Sequence, residues 1–368
     1  MARTKKAEAP AELEPFAFPK LNLPIQPPFP PMEARNAKTL PKGKEWIFEP
    51  KWDGFRCLAF RDDQTIVLQS KSGQPLTRYF PELVDALLKL EAERFVFDGE
   101  IIIETNGHLD FNALLQRIHP AESRIKRLSR ETPAHLVTFD LLVDQDGRLL
   151  TDLPLIDRKN FLQKFWKEVV KPSGLEEIIQ LAPSSGSIEE ANKWMTEMAD
   201  FGCDGVVAKL QDEPYHSGDR DAMVKVKRLR TADCVIGGFR YASKKNAGVG
   251  SILLGLYNDA GELDHVGFCS GFTAEQRIEL VKKLVPLIEK PGFTGKAPGG
   301  PSRWSAANPR STEWEPLKPK LVCEVQYDHF AGGRFRHGTK FLRWRPDKSP
   351  KQCTFEQLQV AKPSKRAA

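Results

Sequence analysis

Cysteine is scarce and scattered: Cys57, Cys203, Cys234, Cys269, Cys323 and Cys353 stand singly, with no Cys-x-x-Cys pair among them. That spacing suggests neither a zinc site nor a disulfide framework, so a reducing, cytosolic setting is expected. Long apolar runs are also missing. Residues 1–6 are basic, but the stretch after them is polar and contains proline. Neither a signal peptide nor a membrane helix is expected, and the chain should be soluble, intracellular and without a membrane partner. Charge of one sign is in only small excess, 55 Lys and Arg against 49 Asp and Glu, for a formal +6. So mild a basic balance suits a polyanionic partner without demanding one. Length, by contrast, is ample: 368 residues can form two domains, each with its own core.

The most informative stretch is Trp46-Ile-Phe-Glu49-Pro-Lys51-Trp52-Asp53-Gly54-Phe55-Arg56. Its flanks, residues 46–48 and 55–60, are aromatic and aliphatic and read as buried strands, while Pro50, Asp53 and Gly54 read as a turn between them. Lys51 would then stand at the mouth of a sheet, held by rigid elements and open to a ligand. We read it as a covalent nucleophile; the plain alternative is a charged surface turn.

Before this stretch, Pro24, Pro27, Pro28, Pro30 and Pro31 mark an extended segment that wraps the surface. After it, a strand is expected over 65–70 and a helix from Pro81, with Leu83, Val84, Leu87, Leu88 and Leu90 on one face. Strand 95–103 carries Asp98 and Glu100 around Gly99, and strand 136–143 carries Asp140 after Phe139. Carboxylates in such apolar surroundings are costly unless a cation or donor compensates them. The second of these strands ends in an Asp144-Gln-Asp-Gly147 hairpin turn. Helices are expected over 157–170 and 188–201. In Met223-Val-Lys225-Val-Lys227 the lysines share one strand face, which is either solvated or turned towards an anion.

Beyond residue 230 the pattern changes to short strands and glycine turns. Strands are expected over 234–239, 251–257 and 263–269, a helix over 273–288, and two more strands over 321–327 and 334–344. Five strands with a helix between the third and fourth is the OB-fold order. Residues 291–310 form a long Gly, Pro and Ser loop. The fold class expected is α+β: a proline-rich extension over 1–45, an antiparallel-sheet domain over 46–229, and an OB-fold β-barrel over 230–368.

Six motifs in order carry a resemblance. Lys51-x-Asp-Gly-x-Arg56, Phe97-Asp-Gly-Glu100, Phe139-Asp-Leu-Leu142, Asp204-Gly-Val-Val-Ala-Lys209, Val224-Lys-Val-Lys227 and Arg345-Pro-Asp-Lys348 together resemble the covalent nucleotidyltransferase superfamily. Within it the chain is similar to bacterial ATP-dependent DNA ligases of the short ligase C type, over about residues 46–358. That likeness implies ATP and Mg²⁺ (with Mn²⁺ as an alternative) as cofactors, an adenylation domain at 46–229, and a monomer acting on nicked double-stranded DNA. It implies DNA repair as the setting, other repair proteins as further partners, and a bacterial, nucleoid-associated location.

The resemblance also implies residue roles. Lys51 would attack the α-phosphate of ATP. A free lysine has a pKa of about 10.4, so it must be activated, and Lys209, Lys225, Lys227 and Arg56 are the cations implied to lower it. Glu49 would meet the adenine edge, Phe139 would stack on the base, and Arg56 with Glu100 would hold the ribose. Glu100 and Asp204 would serve the metal, Lys225 and Lys227 the α-phosphate, and Arg345, Asp347 and Lys348 the leaving pyrophosphate. Lys71 stands where the family usually has an arginine that grips the nick 5′-phosphate; it keeps the charge and loses the fork. Asp204 stands where glutamate is commoner. With no helical domain expected ahead of residue 46, grip on DNA would fall to the two domains, with segment 243–250 as a candidate clamp. An RNA ligase or an RNA capping guanylyltransferase shares this plan, and a non-catalytic OB-fold protein is the reading from another class. Groups aimed at pyrophosphate act in the first step only. Arg345→Ala or Lys348→Ala should therefore abolish AMP transfer to Lys51 while sealing of a nick already carrying 5′-AMP persists, as a gel assay on the two substrates will show.

Overall fold

A computed structural model of the chain describes residues 17–242, 248–298 and 313–358. It divides into two compact units, Met1–Val226 and Lys227–Ala368.

The first unit contains two principal sheets. One runs, in spatial order, through Arg35–Asn36, Met223–Lys227, Gly205–Leu210 and Trp46–Lys51. The other runs through Thr65–Ser70, Phe55–Asp62, Arg94–Thr105, Ala134–Val143 and Ile179–Leu181. In the first sheet Trp46–Lys51 pairs antiparallel with Gly205–Leu210 and Arg35–Asn36 parallel with Met223–Lys227; in the second, pairing is antiparallel except where Ile179–Leu181 joins in parallel. The strands around Lys51 therefore belong to different sheets, and the chain crosses between them at Trp52–Gly54. Pro50 lies inside its strand rather than in the turn. Trp46–Lys51 is at the end of its sheet order, where a missing N–H costs no ladder bond.

Ala134–Val143 is buried along nearly its whole length because both faces of its sheet are covered. On one face Leu136 and Leu141 pack with Leu83 and Leu87 of helix Pro81–Leu88 and with Leu162 and Phe165 of helix Leu155–Phe165. On the other, Leu142 and Val143 meet Leu21, Leu23, Ile25 and Met32 of the proline-rich segment. That segment is thus part of the core of this unit, and its apolar side chains alternate with exposed ones through 21–28. The helix expected over 157–170 begins at Leu155 and widens into a π-helical turn at Trp166–Val170. The one expected over 188–201 breaks into Ile188–Trp194 and Glu197–Phe201, where the Thr196 hydroxyl donates to the Lys193 carbonyl at 2.8 Å.

In the second unit the order is Leu263–Cys269, Val249–Tyr257, Arg230–Tyr241, Val322–Tyr327, Lys340–Trp344. Thr339 bridges back to Cys269, bringing the last strand against the first of that series. Helix Ala274–Leu284 comes between the third and fourth strands in chain order, as the OB-fold requires. Its start carries a Thr273–Gln276 capping box, and it gives way to a 3₁₀ turn at Val285–Leu287, which contains Pro286. The strand expected over 334–344 is two strands. Phe335 turns into the core against Tyr327, so Arg334–Phe335 pairs with Phe330–Ala331 and the ladder resumes at Lys340. The loop expected over 291–310 is described to residue 298, and 243–247 of the candidate DNA clamp lie outside the described residues.

All six cysteines are buried and unpaired, and burial pushes every thiol above its ordinary pKa. Among the described residues no helix is long and apolar enough to cross a membrane. Leu23→Ala should cost about 2–5 kcal/mol, the usual range for a buried leucine, in urea unfolding of the first unit; a change under about 0.5 kcal/mol would mean that the segment only drapes the surface.

Candidate active site

The chain crossing brings the site together. Lys51 ends the strand Trp46–Lys51, and three residues later the chain enters the other sheet. A β-carbon on Gly54 would sit 2.1 Å from the Ile101 carbonyl oxygen, so only glycine lets the backbones approach this closely. The Gly54 N–H donates to Glu100 Oε1 at 3.1 Å. Lys51 Nζ donates to Asp204 Oδ2 at 2.9 Å, and the Asp204 N–H donates to the Lys51 carbonyl at 2.8 Å. Lysine and carboxylate are thus locked by side chain and backbone.

These contacts overturn one expectation. Burial, the largest influence on Lys51, pushes its pKa down, but Asp204, Glu100 and Asp53 together raise it above the ordinary lysine value. The groups that govern the amine are acids, not the cations expected. Lys209 stands four residues along its strand from Gly205, the register partner of Lys51. At about 3.3 Å per residue it is some 13 Å away along the sheet. Its placement beside the amine is corrected accordingly: Lys209 belongs to the far end of the cleft.

That cleft lies between the two sheets and is lined by Glu49, Lys51, Arg56, Lys71, Glu100, Phe139, Lys209 and Lys225, among others. Strand alternation explains the set. Residues directly opposite in an antiparallel pair share a face, so Glu49, Lys51, Val207 and Lys209 all point one way. Phe48, Val206 and Ala208 point the other way, onto Ala191 and Trp194. Phe139 reaches the cleft through a bulge. Asp98 faces Asp140 and Gly99 faces Thr138, leaving Phe139 as the extra residue that re-aims its ring. Over that ring lie Lys209 Nζ at 4.5 Å and the Arg56 guanidinium at 4.6 Å.

Two buried acids found partners that the sequence did not reveal. Asp98 takes both Arg56 nitrogens, at 2.5 and 2.6 Å, and the Tyr215 hydroxyl at 2.6 Å. Tyr215 in turn accepts from the Met32 N–H at 3.0 Å, and Arg56 donates to the Met32 carbonyl at 3.3 Å, so the proline-rich segment helps to hold the guanidinium. Asp140 takes Arg158 at 2.9 and 3.0 Å. Glu49 is paired with Lys209 at 2.8 Å and with Lys159. Among the described residues Glu100 has no ion pair of this kind, only the bond from the Gly54 N–H. Burial pushes its pKa up to about 7, with Lys51 and Arg56 opposing.

Lys71 pairs with Glu33 at 2.9 Å, and Arg220 joins the same carboxylate at 2.8 Å. Lys225 lines the cleft, whereas Lys227 pairs with Asp328 at 2.9 Å. In the second unit, Arg345 binds Asp233 at 2.8 and 3.0 Å and Asp347 at 2.8 Å, and Lys348 binds Asp233 at 2.7 Å. Asp233, a residue that the sequence did not mark, organises the terminal motif. The hydrogen bond from Arg345 holds the Asp347 carboxyl down to about 2.

The family model for the ATP dependent DNA ligase domain matches residues 31–227, and that for the ATP dependent DNA ligase C terminal region matches 245–348. The chain belongs to the ATP-dependent DNA ligases. This ligase is 45% identical to DNA ligase C1 of Mycolicibacterium smegmatis over 352 residues, covering 92% of this chain and 96% of that one. It is 40% identical to DNA ligase C of Mycobacterium tuberculosis over 353 residues, with the same coverage. These likenesses make it a bacterial ligase of the short C type. A solved structure from work on Lig E DNA ligases superposes with a TM-score of 0.53 at 16% identity, covering 85% of this chain and all of that one, and so shares its fold.

Removing Asp98 would strand a largely buried guanidinium. Asp98→Ala should therefore cost roughly 3–5 kcal/mol in chemical unfolding, and Tyr215→Phe, which loses one hydrogen bond to a charged group, about 1.5–3 kcal/mol.

Proposed function

We propose that this ligase seals nicks bearing a 5′-phosphate and a 3′-hydroxyl in duplex DNA through an AMP carried on Lys51 Nζ, in the service of DNA repair. The observation that carries the reading is Lys51 itself. Its amine opens onto a cleft whose far end holds an aromatic ring and a buried carboxylate, the complement of a purine carrying an amino group.

The amine lone pair attacks the α-phosphorus, the bond to the bridging oxygen breaks, and pyrophosphate leaves. The AMP then passes to the DNA 5′-phosphate, and the 3′-hydroxyl displaces it to close the strand. Phe139 stacks on adenine, Glu49 meets its edge, and Arg56 with Glu100 holds the ribose. Lys209 extends the base end. Lys225 and Lys227 draw charge from the α-phosphate, Arg345, Asp347 and Lys348 receive the pyrophosphate, and Lys71 grips the nick phosphate. Lys71 must leave Glu33 to do so, and without a fork it binds as a point charge.

Lys51 must lose a proton before it reacts, and its acidic neighbours oppose that. Asp204 and Glu100, the carboxylates that the resemblance assigns to the metal, and Asp53 close to Asp204 offer oxygen donors, which suit Mg²⁺, and Mn²⁺ as its substitute. Burial pushes the Glu100 pKa up to about 7 against the pull of Lys51 and Arg56, and a cation held beside it would favour its ionised form. A divalent ion held there would offset these acids and so favour the neutral amine. Asp204, hydrogen-bonded to Nζ, is the group placed to take the proton. The ligase works as a monomer in the bacterial cytoplasm, in company with other repair proteins.

Intact mass spectrometry tests the reading. After incubation with ATP and Mg²⁺ the protein should gain one AMP, released by acid. Lys51→Ala should gain none, and a chelator should prevent the gain in wild type. A Lys51→Ala protein that still acquires AMP would overturn the assignment.

A further inference from the structure

Helix Leu155–Phe165 lies outside every motif on which the family resemblance rests, yet it sends a lysine to the base end of the cleft. Lys159 is 4% exposed and is ion-paired with Glu49, itself 3% exposed. The other Glu49 oxygen accepts from Lys209 at 2.8 Å. Glu49, Lys209 and Phe139 all line the cleft, whereas Lys159 is not part of its wall. A group so placed can act on a bound base only through Glu49.

We propose that Lys159 is a positioning residue for base selection: it fixes the Glu49 carboxylate as an acceptor facing the exocyclic amino group of adenine, and so sets the preference for ATP over GTP. This rests on the reading that seats adenine against Phe139 and Glu49. An ionised carboxylate can only accept, at about four lone-pair sites. Two of them serve the lysines, and the rest can receive the amino group of adenine. Guanine presents a carbonyl oxygen at that place, which sets acceptor against acceptor. A protonated Glu49 would carry an O–H and could donate to guanine, so discrimination requires that this buried acid stay charged.

Burial alone would neutralise it. That is the largest influence on Glu49 and acts upward, yet Lys159 first and Lys209 second outweigh it and hold the acid below the ordinary carboxylate range. Lys209 by itself is the weaker guarantor, since burial pushes its own ammonium towards the neutral form. The remaining charges nearby leave this balance in place. Asp140 bears on both lysines but is held by Arg158 at 2.9 and 3.0 Å, and Arg56 lies over the Phe139 ring while bound to Asp98.

The test is the ratio of kcat/KM for ATP to that for GTP in adenylylation of Lys51, measured on the full chain from about pH 5.5 to about pH 8.5, a window above the ordinary carboxylate pKa. Effects of pH at Lys51 or at the phosphate end are common to both nucleotides and cancel in the ratio. Wild type should hold a constant ratio. Lys159→Met should lower it at the acid end on the order of tenfold, mainly through KM, with recovery towards the alkaline end. Lys159→Arg should restore the flat profile. Glu49→Ala separates this inference from the reading beneath it. If Glu49→Ala leaves the ratio and the KM for ATP unchanged, adenine does not meet Glu49 and the seating is wrong. If Glu49→Ala collapses the ratio while folded Lys159→Met keeps it constant and undiminished, the role of Lys159 alone is overturned. Should Lys159→Met fail to fold, Lys159→Gln keeps a donor without the charge and serves in the same assay. A wild-type ratio that itself falls with acidity overturns the proposal without any variant.

Discussion

The close approach of Gly54 to the Ile101 carbonyl is the constraint on which the first unit depends. It lets the chain leave one sheet at Lys51 and enter another at Phe55, so two sheets with separate hydrogen-bond ladders face one another across a single peptide crossing. The side chains at the centre of the cleft inherit their positions from one ladder or the other. Glu49, Lys51 and Lys209 come from the first, and Arg56, Glu100 and Phe139 from the second. The crossing also explains why the nucleophile is rigid: its backbone carbonyl is held by the Asp204 N–H while its amine is held by the Asp204 side chain.

Around that crossing the interior is unusually ionic, and the charges are arranged rather than merely tolerated. Arg56 with Asp98, Arg158 with Asp140, and Lys159 and Lys209 with Glu49 are each closed as ion pairs. Taking such groups out of water is costly unless partners are fully engaged, and breaking one member of a pair leaves an uncompensated charge behind. Pairs of this kind are weak evidence for stability, but they specify geometry. Against this background Glu100 stands out, because burial pushes its pKa up to about 7 while Lys51 and Arg56 oppose the rise.

Much of this was legible in the sequence, and the limits have physical reasons. The lysine turn, the acids in apolar strands and the alternating Lys225 and Lys227 are local patterns, and local patterns survive in a linear reading. The OB-fold order of the second unit was readable for the same reason, although Phe335 split its last strand by turning into the core. Partner choice was not readable, because it depends on contacts distant in sequence: 153 residues separate Lys51 from Asp204, and 117 separate Asp98 from Tyr215. Arg158 and Lys159 left a faint signal, two basic residues at helical spacing from the apolar Leu162 and Phe165. Lys209 was placed at the wrong end of the cleft because a motif says which residues occur together, not how far a strand carries them apart.

The burial of all six thiols has a practical consequence for studying the ligase in motion. Thiol chemistry proceeds through the exposed thiolate, and here every native sulfur is shielded and held in its protonated form. The protein is therefore in effect a cysteine-free background for labelling. One cysteine introduced on the surface of each unit would be the only pair to take up a maleimide dye, so energy transfer between the units could be followed through a catalytic cycle without first stripping the cores of their native sulfur.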